Sequence, residues 1–446
     1  MDAIRISSAR EAAFAALMAC ERQGAWSDQA IRSASRTFEL NPRDAALAAN
    51  LCYGVIQNRI LLDAWIDALS STPARKLDAE VRQSLRLGLY QLHFLNRIPD
   101  RAAVNESVAL VRRHDRHKGA AGLTNAVLRA FQRSGVPAVP AAGDPLQALS
   151  IQYSHPLELV ELLYGELGGC VEDLLRCHNT PTEMVIQANP LRTSAAELRD
   201  ELEQSGAVVK LHPWLADCLL VEKSGNLEQL EAFQAGKFYV QDAAARLCAL
   251  AAGPQPGNRV LDACAAPGGK SFAAALLMQD QGEILSCDLH ENKLKRIRSG
   301  AKRLGIHCIR TEAADGRVFH PEWESAFDVV VADVPCSGLG IIRKKPDIRY
   351  KDLKETQQLP GIQLAILGNV SRYVKPGGTL VYSTCTVLRR ENEAVVRAFL
   401  DSHGEYRLEP FPLPGPVGET EGMLTLWPHI HGTDGFFIAK LRRIHG

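Results

Sequence analysis

The sequence predicts a chain in three parts: an all-helical bundle, a small α+β domain and a doubly wound α/β domain. Three observations carry that prediction. A length of 446 residues allows about three domains at ~100–200 residues each. The apolar pattern is helical to residue 135, mixed from 181, and alternates between strand and helix from 259. Net charge changes sign at nearly the same places, being +6 over 1–140, −10 over 141–235 and +4 over 236–446. A neutral total built from unlike blocks does not argue against a nucleic-acid partner.

Taken in order, Leu47, Leu51 and Val55 repeat at i, i+4, and Leu62, Trp65, Ile66 and Leu69 continue a period of three to four. Segments 80–96, 101–114 and 120–133 behave alike, with Pro99 parting two of them. Residues 134–143, rich in Pro, Gly and Ala, read as a linker. One more helical run is expected over 155–178. Strands at 184–187 and 218–221 then flank a helix over 194–204, with Ser194 and Glu197 spaced as a capping box. Further on, strands are expected at 259–263, 283–288, 307–311, 327–332 and 379–383, and helices at 270–279, 291–304, 357–373 and 391–403. Met423–Trp427 and Gly435–Leu441, with no helix expected between them, suit an antiparallel hairpin closing the sheet.

Composition excludes other classes. Hydrophobic residues make up 46% and charged residues 23%, as in a chain that buries large cores. No stretch of 18 apolar residues suggests a membrane span. The run Ala12–Cys20 is bracketed by Glu11 and Glu21 and lacks a cleavage site, so no signal peptide is read and a cytoplasmic protein is expected. The 11 cysteines show no C-x-x-C pair and no histidine cluster at ligand spacing. Neither a disulfide framework nor a metal is expected, and most thiols should be reduced and buried.

The strongest local signal is Val260–Ser271, VLDACAAPGGKS, a buried strand entering a small-residue loop that opens a helix. A phosphate-binding P-loop would need glycine where Cys264 stands, and the dinucleotide pattern G-x-G-x-x-G is absent. S-adenosylmethionine is the ligand left. Asp288 ends the next strand about 20 residues on, at the conventional ribose position, and Asp315 follows the third strand where adenine would lie. As a bland alternative, Asp315 could be a turn or cap residue. The fourth strand leads into Asp333-Val-Pro-Cys336-Ser, and the fifth into Tyr382-Ser-Thr-Cys385-Thr. Two cysteines thus stand just past strand ends, where α/β enzymes do chemistry.

Together with Glu391-Asn-Glu393, Val240-Gln-Asp242 and Tyr153-Ser-His-Pro156, these motifs resemble the Sun/Fmu family of RNA cytosine-C5 methyltransferases. In the helical part, Leu87–Leu92, Arg97–Asp100 and Asn125–Arg129 are similar to the antitermination-factor (NusB-like) RNA-binding domain. Val334 departs from the alanine common in relatives and leaves its neighbours in place. The resemblance implies a NusB-like helical domain over 1–135, a linker and helix over 136–180, a small α+β RNA-binding domain over 181–236, and a Rossmann-like class I methyltransferase domain over 237–446. It implies methyl transfer from S-adenosylmethionine to C5 of a specific cytosine in 16S rRNA, free or in an assembly intermediate. Apart from the resemblance, a monomer is the default expectation, since nothing in the sequence marks an interface, and no membrane attachment is expected. Cys385 would be the nucleophile, Cys336 would assist product release, and Asp333 would hold the base near N3. Cys264, Ala265, Ala266, Pro267, Gly268, Gly269 and Lys270 would bind the cofactor with Asp288, Asp315 and Asp333.

The chemistry wants these residue types. Cytosine C5 is a poor nucleophile until a group adds at C6, and a thiolate both attacks and leaves well. A free thiol of pKa ~8.5 is mostly protonated at neutral pH, so the site should depress that of Cys385. Two other readings compete: a non-catalytic assembly scaffold, which has no need of both cysteines, and a DNA cytosine methyltransferase, which would give catalysis to Cys336. The basic segment Arg112–Lys118 is a candidate phosphate contact, or simply a solvated helix end.

Overall fold

The computed structural model describes residues 8–115, 117, 119–138 and 143–444. The chain divides into two compact units, one of residues 1–179 with 345–351, the other of 180–344 with 352–446.

The first unit is helical: α1 Ser8–Gln23, α2 Ser27–Thr37, α3 Pro42–Gln57, α4 Arg59–Leu69, α5 Ala79–Phe94, α6 Asp100–His114, α7 Ala120–Ser134, α8 Pro145–Gln152, α9 Leu157–Leu167 and α10 Val171–His178. The periodic residues Leu51, Val55, Leu62, Trp65 and Ile66 are all buried in its core, as their spacing predicts. Asn41 caps α3 by accepting from Asp44 N, and Pro42 fills the first helical position, where no N–H is needed. The single run expected over 155–178 is two helices. Gly168, at φ +57°, ends α9, and a 3-10 turn over Gly168–Cys170 redirects the chain. Of the basic segment, Arg112 and Arg113 close α6 and Arg113 pairs with Glu11, while Arg116 and Lys118 lie outside the described residues. Residues 345–351 are built into this unit. Arg349, 1% exposed, donates to the carbonyls of Gln57 and Ser154 at 2.8 and 3.1 Å. The Tyr350 hydroxyl donates to Ile56 O at 2.9 Å.

The second unit opens with β1 Met184–Ala188, α11 Ala195–Gln204, β2 Val208–Leu211, β3 Cys218–Lys223, α12 Glu231–Gln234 and β4 Phe238–Val240. These strands form an antiparallel sheet in the order β2-β3-β1-β4. The capping box is present: Ser194 Oγ accepts from Glu197 N at 3.2 Å, and Glu197 Oε2 from Ser194 N at 2.9 Å. Then follow α13 Ala243–Ala252, β5 Arg259–Asp262, α14 Gly269–Leu277, β6 Glu283–Asp288, α15 Glu291–Leu304, β7 Ile309–Ala313, β8 Phe327–Asp333, α16 Leu359–Ser371, β9 Val374–Thr384 and α17 Glu393–Ser402. Last come β10 Tyr406–Leu408, β11 Phe411–Leu413, β12 Gly418–Thr420, β13 Met423–Leu426, α18 Pro428–His431 and β14 Phe436–Arg443.

The large sheet runs β10-β14-β9-β8-β5-β6-β7, with β13 also paired to β14. Its parallel strands are β9, β8, β5, β6 and β7. Strand order reverses between β5 and β8, so the loops leaving these two neighbours diverge around a crevice at their carboxyl ends. The expected closing hairpin is present as β13–β14, but one turn of helix, α18, stands within its connection, started by Pro428 at the first helical position. Among the described residues no helix is long and apolar enough to cross a membrane. All eleven cysteines are free, yet only Cys52, Cys218, Cys248, Cys287 and Cys308 are buried. The expectation that most would be buried is corrected: several stand at helix surfaces or strand ends rather than in the core.

Candidate active site

The loop leaving β5 is pinned on both sides. Ala263 N donates to Val331 O of β8 at 2.9 Å, and Ala265 N to Cys287 O of β6 at 2.7 Å. Gly268 has φ +111°, which a side chain would strain, and a Cβ there would meet the Phe272 ring at 2.9 Å. The turn delivers the first N–H groups of α14 to the crevice. Beneath it Ser271 Oγ donates to Asp262 Oδ2 at 2.7 Å and lies 2.7 Å from Ser286 Oγ. Burial pushes the Asp262 carboxyl up to about 6, against the Ser271 hydrogen bond and the Lys270 charge.

Asp288, 7% exposed, closes β6 and accepts from His290 N at 3.0 Å. Asp315 lies beyond β7, gripped by the Arg317 guanidinium at 2.6–2.9 Å and by Arg317 N at 3.0 Å. That hydrogen bond, ahead of burial, holds its carboxyl below the ordinary value. A small pocket there is lined by Leu261, Cys287, Asp315, Trp323 and Tyr373.

Across the switch point, β8 ends in Asp333. Its Oδ1 accepts from Ser383 Oγ at 2.8 Å and its Oδ2 from Lys270 Nζ at 2.6 Å. Burial opposes the Lys270 ammonium, but Asp333, Cys248 and Asp262 outweigh it, so the amine is held above its usual value. Cys336 Sγ and Cys385 Sγ are 3.2 Å apart. The Cys385 thiol is lowered, first by the hydrogen bond from Cys336 and further by Lys270, against burial and Asp333. Cys336 is raised by that same hydrogen bond, by burial, and by the charges of Cys385, Glu391 and Asp333. The main chain around Cys385 is packed without slack: its carbonyl accepts from Gly340 N at 2.9 Å, and a Cβ on Gly340 would stand 1.8 Å from Gly435 O. Lys344 bridges Asp242 and Asp434 at 2.5 and 2.8 Å, and burial beside Asp242 pushes Asp434 to about 7.

Residues 249–442 match the family described as 16S rRNA methyltransferase RsmB/F. The chain is 39% identical to the "Probable ribosomal RNA small subunit methyltransferase B" of Bacillus subtilis (strain 168), over 98% of this chain and 99% of that protein. The chain belongs to the RsmB/F family of 16S rRNA methyltransferases. Its helical part matches the NusB family over 7–133, and residues 155–228 match the ferredoxin-like domain of RsmF/B-like methyltransferases. It is 34% identical to the ribosomal RNA small subunit methyltransferase B of Vibrio cholerae, over 91% of each chain. Among solved structures it resembles PH0851, with 28% identity and a TM-score of 0.80 over 99% of this chain and all of that one. A methyltransferase homologue from Pyrococcus horikoshii, 26% identical, covers 68% of this chain with a TM-score of 0.57.

An RsmB/F enzyme takes its methyl group from S-adenosylmethionine, and the crevice fits that molecule. A glycine turn that a side chain would fill opens α14, the buried Asp288 closes β6, and Asp262 Oδ1 is buried without a partner among the described residues. The fold brings residues 264–270, Asp288 and Asp315 to consecutive strand ends on one side of the switch point, and Asp333, Cys336 and Cys385 to the other. Lys270 belongs to both halves: its chain position is in the loop, but its ammonium lies on Asp333 and over the Phe436 ring at 5.0 Å. Sequence reasoning missed that ion pair and the groups on Glu391 and Asn392. In the sequence those two residues stand only as motif positions without a task. Nor does anything near Trp323 and Tyr373 in sequence mark them as pocket residues.

Proposed function

We propose that this RsmB/F enzyme methylates C5 of a cytosine in 16S rRNA through a covalent bond between Cys385 and C6. The 3.2 Å approach of the two thiols beside the Lys270–Asp333 pair is the observation that carries this reading. The Cys385 thiolate adds to C6 and pushes an electron pair towards C5. Asp333 holds the base near N3, itself fixed by Lys270 on Oδ2 and by Ser383 on Oδ1. S-adenosylmethionine, seated by residues 264–270, Asp288, Asp315 and Asp333, supplies the methyl group when bound. A base then takes the C5 proton, its bonding pair re-forms the C5–C6 double bond, and the C6–S pair leaves with Cys385 as a thiolate, Cys336 assisting. A base flipped from its stack can meet both thiols, because they end different strands. The domain limits 1–135, 136–180, 181–236 and 237–446, a monomeric state and work on cytoplasmic rRNA belong to the same reading.

The test compares 16S rRNA from cells with and without the gene by nucleoside mass spectrometry. One 5-methylcytosine should vanish on deletion and return with the wild-type gene but not with Cys385→Ala. A methyl group on another base, or on another atom of cytosine, would overturn the reading.

A further inference from the structure

Directly behind the two thiols lies a cluster of buried polar groups that the reaction above does not use. Glu391 and Asn392 are both 0% exposed. Glu391 Oε2 accepts from Ser337 N and from Gln363 Nε2, each at 2.9 Å. Gln363 Nε2 also donates to Pro335 O at 3.0 Å, so the residues on both sides of Cys336 are fastened to one carboxylate. Asn392 does the same on the other side: its Oδ1 accepts from Thr384 Oγ1 at 2.6 Å, and its Nδ2 donates to Thr386 O at 3.0 Å. These flank Cys385. The two clamps are joined, since Ser337 Oγ donates to Thr386 Oγ1 at 2.8 Å and the Tyr382 hydroxyl to Glu391 O at 2.5 Å.

From this geometry we infer that Glu391 and Asn392 are positioning residues that clasp the two cysteine loops and set the separation and the division of labour of their thiols. Stability alone does not account for a carboxylate here. Glu391 Oε1 is buried without a hydrogen-bond partner among the described residues, which costs free energy. A glutamine would accept from Ser337 N as well. What the carboxylate adds is charge beside Cys336. The groups acting on Cys336 are Cys385, Glu391 and Asp333; those acting on Cys385 are Cys336, Asp333, Lys270 and Asp434. Asp333 faces both thiols; the hydrogen bond between them is the first cause of the split, and Glu391 beside Cys336 and Lys270 beside Cys385 widen it, with Asp434 opposing Lys270. Negative charge keeps Cys336 a thiol that can donate, and positive charge favours the Cys385 thiolate. Asn392 holds the strand end so that the hydrogen bond between them is made.

The inference rests on the two-thiol reading for its catalytic meaning, but its test needs no rRNA. Iodoacetamide labelling of the full chain from pH 6 to 10, followed by peptide mass spectrometry, gives a pH midpoint for each cysteine. In the wild type Cys336 should react with a midpoint at least one unit above that of Cys385; equal midpoints would overturn the inference without any variant. In Glu391→Gln the Cys336 midpoint should fall by about one unit, roughly a tenfold rise in labelling near pH 8. In Asn392→Ala the Cys385 midpoint should rise. In both, kcat for rRNA should fall with KM little changed. Folded variants with wild-type labelling profiles would sink the clasp while leaving the proposed reaction intact. Clasp-dependent profiles in an enzyme that forms no 5-methylcytosine would do the reverse.

Discussion

Four cysteines lie along one sheet edge, and the two halves of that edge treat them in opposite ways. On the cofactor half, Cys264 and Cys287 are pushed up by burial first and then by carboxylates, Asp262 and Asp288 among them. On the target half, burial and Asp333 act on Cys385 as well, but the Cys336 hydrogen bond and Lys270 reverse the outcome. The lesson is that position at a strand end does not make a thiol reactive. One ammonium and one neighbouring thiol separate a thiol held down from thiols that burial holds up.

The largest effect expected is on the target half. Cys385→Ala should lower methyl transfer by roughly a thousandfold or more, whereas Cys336→Ala should still attack and then fail to release, leaving a denaturation-resistant protein–RNA band on a gel. The band appearing instead with Cys385→Ala would exchange the two roles. Next, Lys270→Met removes the cation that distinguishes the halves. The labelling midpoint of Cys385 should rise by about 1–2 pH units, towards the behaviour of Cys264. An unmoved midpoint would show that the hydrogen bond from Cys336 suffices.

Smaller effects belong to the cofactor half. Burial sets the character of Asp262, whose folded pKa of about 6 lies above the ordinary 3.8. The native state therefore holds this proton more tightly, and the stability it contributes is full below pH ~4 and lost as pH rises through ~6. Asp262→Asn should flatten that fall, worth at most about 3 kcal/mol, in denaturant titrations at pH 4.5 and 7; an unchanged slope would refute it. Asp288→Asn should weaken S-adenosylmethionine by about 1–3 kcal/mol in calorimetry. Smallest of all, Cys264 and Cys287 should stay unlabelled at pH 8 over a time that fully labels Cys385.

Much of this was legible in the sequence, because strand-end motifs are local. Val260–Ser271, Asp333–Cys336 and Tyr382–Cys385 each predict their own strand, turn and exit side. The short strands β2, β4, β10, β11 and β12 were not legible: each has three or four residues, too few for alternation to show. Nor was the Lys270–Asp333 pair, whose members are 63 residues apart and meet only because β5 and β8 are sheet neighbours. Glu391 is the same case, reaching Ser337 across 54 residues.

The placement of residues 345–351 within the helical unit has a consequence for the order of synthesis. The helical part leaves the ribosome first, yet Gln57 O, Ile56 O and Ser154 O wait for donors on Arg349 and Tyr350. At ~5–20 residues per second those donors arrive on the order of ten to thirty seconds after residue 179. By then β5 and β8, with their loops, have also emerged. The amino-terminal unit is thus begun first and finished late, and a fragment ending at residue 179 would lack seven residues of its own fold.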